Sequence, residues 1–447
     1  MGTLAIALCA LFIIFLFALD YRRGVSVSLA VWLPLLWVLL MLSRPVSAWL
    51  HPGMVVESPS AVMEGSPIDR NVYLFLMAAG FMVLLFRRTI NWSSLFSNNV
   101  LILVYLFYCA LSITWSDHAF TSFKRWLKYV GDFIMLLVLL TEANPDEAIK
   151  RLVRQSAFVL LPLSIVLIKY FPAYGRVYHR WTGEAMYVGV ATQKNGLGLL
   201  CLVLGVFLSY YLYKLLREEK PGPGKWGEAA IYPVLLLMIA WLFYLAQSST
   251  SLVTYFLGTG LFCCLGFTAI RKQPLLVDLY FSLLLALAIA VHLLVDLSPY
   301  FLSWMGKELT LTGRTDLWMD LLNVRINPFV GTGFDSFWLG EQTEWLWSKH
   351  SWKPGQSHNG YLEIYLNLGL IGVFMLLAVL FSFYRKSKKK LFFDSDRGRL
   401  QIAFLVIALL YNMTEASFGS LHPIWFFLLL LNIEYAPRHS PGYENGE

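Results

Sequence analysis

Apolar runs of about 14 to 24 residues alternate with short polar turns along this chain, and the pattern predicts thirteen membrane-spanning helices. They are expected at approximately 3–19, 26–42, 71–86, 98–114, 127–140, 152–170, 196–214, 229–246, 251–270, 276–295, 360–383, 401–415 and 421–435. Without the first span there would be twelve, with the same sidedness for the rest. Helices are the expected form because lipid offers backbone N–H and C=O groups no partner. One long polar stretch breaks the alternation, so the chain divides into helices over 1–296, a large loop over 297–359, helices over 360–435 and a tail over 436–447. The expected class is an all-α integral membrane protein.

The large loop holds six of the 16 tryptophans: Trp304, Trp318, Trp338, Trp345, Trp347 and Trp352. Long structured loops usually carry function. Within it, 315–324 has the spacing of a short amphipathic helix, with Leu317, Trp318, Leu321 and Leu322 as its apolar face and Asn327-Pro328 as its stop. Such a helix is expected on the membrane surface or at the mouth of the bundle.

Composition agrees: 58% of residues are hydrophobic and only 14% charged, far from a soluble average. The Met1 end lacks a basic n-region, and no small-residue cleavage site follows the first run, so no cleaved signal peptide is expected. The five cysteines all lie in apolar runs and read as small hydrophobes. The net charge of +7 is first a topology signal. With basic loops in the cytoplasm, twenty-one of the 35 Lys and Arg residues lie inside and fourteen outside. The outer ones include Arg44, Arg70, Lys124, Arg125, Lys128, Arg180, Lys194 and Arg314. They read either as interfacial snorkelling or as an anion site on the outer face. The run Lys386–Lys390 suits anionic lipid; no nucleic-acid partner is expected.

Arg314 stands at the amphipathic helix, where a guanidinium can grip phosphate oxygens bidentately. The alternative is a rim ion pair with Asp316 or Asp320. His358 immediately precedes the helix 360–383, with Ser357 or Asn359 as cap. A ring at a helix start is favoured in its neutral form, the form a general base for a hydroxyl requires; a capping histidine is the alternative. Gln193-Lys-Asn-Gly196 enters the seventh span, so Lys194 and free N–H groups face outwards together, with Asn195 beside them. Gly331-Thr-Gly333 reads as a turn and not a dinucleotide fingerprint. Loop tryptophans such as Trp318 and Trp338 suit either sugar stacking or an interfacial belt. No metal motif or paired carboxylate of glycosidase spacing occurs, so no metal or cofactor is expected.

Three segments then carry a resemblance: Thr312-Gly-Arg-Thr-Asp-Leu-Trp318, Asn327-Pro-Phe-Val-Gly-Thr-Gly-Phe334 and Ser357-His-Asn-Gly-Tyr-Leu-Glu-Ile-Tyr-Leu-Asn-Leu-Gly-Leu-Ile-Gly372. With Trp115-Ser116, Lys194-Asn-Gly-Leu-Gly198, Ser248-Ser-Thr-Ser251 and Glu415-Ala-Ser417 in order, the chain resembles the O-antigen ligase and polymerase superfamily. It looks most like the exopolysaccharide polymerases. The resemblance implies a metal-independent inverting glycosyltransferase of the C-type fold class in the bacterial inner membrane. Its donor would be an undecaprenyl-diphosphate-linked oligosaccharide used at the periplasmic face. It implies His358 as base or orienter of the acceptor hydroxyl and Arg314 as diphosphate ligand, with Asn195, Trp318, Trp338, Asn359 and Tyr361 near substrate. Chain-length regulator and export proteins are candidate partners, beside membrane lipid. Ligases of this group carry a second arginine where this chain has Ser249, so Lys194, Arg180 or Arg125 would have to complete the diphosphate site. A ligase is the alternative within the family. A transporter is the alternative outside it, disfavoured because Asp132, Asp278, Glu363 and Glu415 fall near predicted span ends and no broken helices are evident.

Overall fold

The computed structural model describes residues 1–21, 27–51, 65–87, 90–178, 183–217, 225–267, 273, 275–279, 281–283, 286 and 312–435, with the side chains of 225–229, 312, 313 and 315 left aside. The protein is an all-α integral membrane protein. Among the described residues five helices are long and apolar enough to cross a membrane: Gly2–Tyr21, Pro67–Phe86, Pro145–Tyr170, Lys194–Leu216 and Gly360–Phe393. Trp92–Asn98 and Val100–Trp115 make a sixth if counted as one span bent by 85°. The strands Arg176–Tyr178 and Ala185–Tyr187 pair as one antiparallel hairpin. The expected span 276–295 lies mostly outside the described residues.

Two expected spans are shorter than the sequence suggested. Trp32–Leu42 has 11 residues and Pro423–Asn432 has 10. At about 1.5 Å per residue each reaches only about half the thickness of the hydrocarbon layer. Every residue of Pro423–Asn432 is buried, so its apolar character serves the protein core and not lipid. Trp425 sits there with its indole N–H donating to Tyr129 Oη at 2.6 Å. Asp132 also differs from expectation. Its helix begins at Ala119, which puts the carboxylate well inside the 22-residue element. It accepts from Trp37 Nε1 at 2.8 Å and from Leu421 N at 2.9 Å, contacts that tie helices together.

The expected uninterrupted helix over 360–383 is broken. Gly360–Phe393 contains a non-helical residue, Gly369, at φ 66° and ψ −168°. A break frees backbone groups that must find partners elsewhere. The Asn327–Phe334 turn supplies them: Leu370 N donates to Pro328 O at 2.9 Å and Ile371 N to Phe329 O at 3.1 Å. On the other side, Thr332 N donates to Leu366 O at 3.1 Å and Gly333 N to Asn367 O at 2.8 Å. The approach is close enough that a Cβ on Gly369 would lie 2.2 Å from the Phe329 carbonyl carbon.

The turn is also stitched to the helix bundle. Ser116 Oγ donates to Ser336 Oγ at 2.8 Å, Phe334 N donates to Ser112 Oγ at 3.0 Å, and the Phe334 ring stacks on Tyr129 at 5.9 Å. The described part of the polar segment, from 312 onwards, is therefore a folded cap on one end of the bundle.

Candidate functional site

Thr312–Asn323 is helical, and its buried Leu317 and Leu321 pack against Phe337, Leu346 and Leu366. This is the bundle-mouth position. Leu322 departs from the expected apolar face, being 64% exposed. The packing aims Arg314 into the protein, where Nη1 donates to Thr414 O at 2.7 Å and Nη2 to Glu415 Oε1 at 3.2 Å. Its ion pair is with Glu415 and not with Asp316 or Asp320. Asp320 is taken by Lys349 Nζ at 2.8 Å and His350 Nε2 at 3.0 Å, and the lysine holds its carboxyl below the usual range.

His358 has φ 52°, the left-handed region that non-glycine residues enter at a cost and mostly where surroundings enforce it. Both neighbours are pinned. Trp318 Nε1 donates to Ser357 O at 2.7 Å, and Ser357 N donates to Glu363 Oε2 at 2.8 Å. Asn359, not Ser357, is the helix cap; its Oδ1 accepts from Tyr361 N and Leu362 N at 3.0 and 3.1 Å. The strained turn directs the ring to Glu415, with Nδ1 3.1 Å from Oε2. That contact assigns the ring proton to Nδ1 and makes Nε2 the basic nitrogen.

Glu415 is the centre of the arrangement. Asn195 Nδ2 donates to Oε1 at 2.9 Å beside Arg314, and Gln356 Nε2 donates to Oε2 at 3.3 Å beside His358. It lies in the connection between Ser395–Tyr411 and Pro423–Asn432. Burial pushes its carboxyl up, but the hydrogen bond from His358 and the charge and hydrogen bond of Arg314 prevail and hold it below the usual range. It is thus an ionised, buried carboxylate joining the His358 ring to the Arg314 guanidinium. Sequence reading set this residue aside as a span-end acid. The available signal was its place in Glu415-Ala-Ser417, a segment of the resemblance.

Beside the cluster is a cavity of about 260 Å³ whose lining includes Gln356, Ala416, Asn367, Glu363, His422 and Arg125. Arg125 stands on a different part of its wall from the His358 cluster, donating to Asp335 O at 2.5 Å. Lys194 is exposed at the first turn of Lys194–Leu216, next to Asn195. Arg180 lies outside the described residues. Trp338 also lines the cavity, yet it is only 5% exposed and its indole N–H donates to Glu363 Oε1 at 2.7 Å. Tyr361 donates to Leu409 O at 3.1 Å. These aromatic residues fix the backbone around the site. The ring that presents a face is Trp352, 47% exposed and 5.7 Å from the His358 ring.

The model of the family described as O-antigen ligase matches residues 233–377, a range containing both Arg314 and His358. The chain is also 27% identical over 335 residues to the exopolysaccharide production protein ExoQ of Rhizobium meliloti (strain 1021), covering 72% of this chain and 73% of that one. Together they support an O-antigen ligase/polymerase-like superfamily for this chain. They also support a role in glycan processing at the membrane. In the terms of this superfamily, Arg314, His358 and Glu415 are brought together from three separate motifs of the resemblance.

Proposed function

We propose that the protein is a polymerase that joins undecaprenyl-diphosphate-linked oligosaccharide repeat units at the periplasmic face of the bacterial inner membrane. The observation that carries this reading is that one buried carboxylate, Glu415, holds both His358 and Arg314, at 3.1 and 3.2 Å. A sugar diphosphate already has a good leaving group, so the protein's task is to align the acceptor, take its proton and neutralise the departing charge. His358 Nε2 accepts the proton of the acceptor hydroxyl as its oxygen bonds to the anomeric carbon of the donor. The bond from that carbon to the diphosphate oxygen breaks on the opposite face, so configuration inverts. Arg314 spends two donors on Thr414 and Glu415 and keeps others for phosphate oxygens. Lys194 and Arg125 are the further cations assigned to the diphosphate, and Trp352 stacks on a sugar face.

The relative's name, which refers to exopolysaccharide production, favours polymerisation. A second reading, transfer of finished glycan to a separate acceptor, is favoured by the ligase description of the matched family. Supplying purified protein with a lipid-diphosphate repeat unit alone separates them: a ladder of products supports the polymerase, and dependence on a separate acceptor supports the ligase.

A further inference from the structure

The cavity of about 260 Å³ beside Glu415 is lined by a second imidazole, His422, which the transfer chemistry does not use. His422 caps Pro423–Asn432, and its Nδ1 accepts from Ile424 N at 3.3 Å. A ring nitrogen that accepts carries no proton, so this contact assigns a neutral ring with its donor at Nε2. The residue before it is strained. Leu421 has φ 54°, a conformation unusual for a bulky side chain, and Asp132 Oδ2 holds it there by accepting from Leu421 N at 2.9 Å. His358 itself stands at φ 52°. Both imidazoles are thus set at left-handed turns, and strain of this kind gathers where a side chain must be aimed.

Other polar groups on the wall have capacity to spare. Thr343, on Glu341–Lys349, is 2% exposed, and its hydroxyl has no hydrogen-bond partner among the described residues. A buried hydroxyl left without a partner is destabilising, and the cavity that Thr343 lines is where one can arrive. Gln356 Nε2 donates to Glu415 Oε2 at 3.3 Å, which leaves its carbonyl oxygen as an acceptor. The charged groups are already in company. Arg125 Nη1 lies 3.4 Å from Asp335 Oδ1, and Glu363 accepts from Trp338 Nε1, Ser357 N and Asn367 Nδ2 at 2.7, 2.8 and 3.2 Å. One cation therefore faces two carboxylates, a balance that admits an uncharged ligand and opposes an anion. The volume falls just below the roughly 300–1,000 Å³ of drug-sized ligand sites, which suits one sugar ring and not an oligosaccharide.

We propose that this cavity is the specificity pocket for one uncharged pyranose of the glycan. His422 Nε2–H donates to a ring hydroxyl, Thr343 Oγ1 and Gln356 Oε1 take neighbouring hydroxyls, and Trp347 lies along the C–H face of the ring. His358, Glu415 and Arg314 perform the transfer, while His422 and Thr343 decide which sugar is held for it. The inference rests on reading the Glu415 cluster as a glycan-transfer site, and is the same for a polymerase or a ligase.

The test is a binding measurement without turnover. Saturation-transfer NMR is run on full-length protein in phosphatidylcholine nanodiscs with the methyl glycosides of glucose, galactose, mannose and N-acetylglucosamine, and with methyl glucuronide as the acidic analogue. At least one neutral glycoside should receive saturation, and the glucuronide much less. His422→Asn keeps an oxygen to cap Ile424 N, and Thr343→Val keeps the shape without the hydroxyl. Each should weaken binding about fivefold, the usual effect of one hydrogen bond. Gly419→Leu should abolish the signal by filling the cavity, since Gly419 lines it and nothing lies within 4 Å of an added Cβ. No transfer to any neutral glycoside, equal transfer to the glucuronide, or a signal unchanged in monodisperse variant protein would each overturn the proposal. A purely structural His422 predicts a lower unfolding midpoint in His422→Asn with the signal retained. A missing product ladder would remove the polymerase reading and leave sugar binding standing, whereas absent sugar binding would remove the pocket and leave the ladder.

Discussion

His358 Nδ1 lies 3.1 Å from Glu415 Oε2, a contact between the turn that starts one helix and the loop that ends another. It fixes the tautomer of the ring and leaves Nε2 as the nitrogen able to take a proton. His358→Ala should lower turnover by about 10²–10⁴-fold with donor binding retained, the usual contribution of a general base. His358→Gln can orient a hydroxyl but cannot accept its proton at neutral pH. It should be as inactive as alanine in initial-rate assays; near wild-type rates in His358→Gln would reduce the residue to an orienter.

Glu415→Gln keeps the size of the side chain and removes the charge shared by His358 and Arg314. Supporting groups of this kind are worth roughly 10–100-fold, and a loss of that order is expected in kcat with a smaller change in donor KM. Separate measurement of the two constants checks this. A purely structural role predicts lower yield or thermal stability with unchanged kcat in the folded fraction.

Arg314→Lys should be nearly as damaging as Arg314→Ala, because a lysine cannot reproduce paired donation to phosphate oxygens. The loss should appear chiefly as weaker donor use in titrations of the lipid-diphosphate substrate. Full activity in Arg314→Lys would reduce the guanidinium to the charge partner of Glu415.

Gly369→Ala places a side chain at φ 66° and against the Phe329 carbonyl carbon at 2.2 Å. The left-handed conformation alone costs about 1–2 kcal/mol, before the clash with the inserted turn. Gly260→Ala is the control, since nothing lies within 4 Å of the added Cβ. Thermal unfolding in detergent should show a lowered midpoint for Gly369→Ala and little change for the control; equal midpoints would mean that the turn does not brace the broken helix.

The periodicity of apolar runs was enough to read the fold class and twelve of the expected helices, because burial in lipid and burial in a helical core both demand unbroken apolar stretches. For the same reason it could not distinguish Pro423–Asn432, a short helix enclosed by protein, from a span. The break at Gly369 was hidden because a glycine inside an apolar run is compatible with a continuous helix; only the Asn327–Phe334 turn, some 40 residues earlier, makes it a break. Residue chemistry and resemblance singled out Arg314 and His358 as candidates, and the structure brings both to Glu415. Glu415 was not singled out, because an acid near a helix end has many unremarkable uses until its partners from distant loops are known. Trp338 and Tyr361 were legible as aromatic residues but not as braces, since a hydrogen bond to Glu363 or to a backbone carbonyl leaves no mark in the sequence.

The sidedness of the cap can be tested by thiol labelling. Ser336 is only 4% exposed and unsuited to a reporter, whereas Ser348 is exposed on Glu341–Lys349. In a background with the native cysteines replaced by alanine, Ser348→Cys should react with an impermeant reagent from the periplasmic side. Reaction only after the inner membrane is permeabilised would invert the topology and move the site to the cytoplasm.

The central claim is that Glu415 holds a base and a phosphate-binding cation for joining lipid-linked glycans. The most direct measurement is product analysis by gel for purified protein in lipid, given a lipid-diphosphate repeat unit and nothing else. The account predicts a ladder of chains that grows with time and disappears in His358→Ala. A ladder that persists in folded His358→Ala protein, or no product from wild-type protein until a separate acceptor is added, would contradict it.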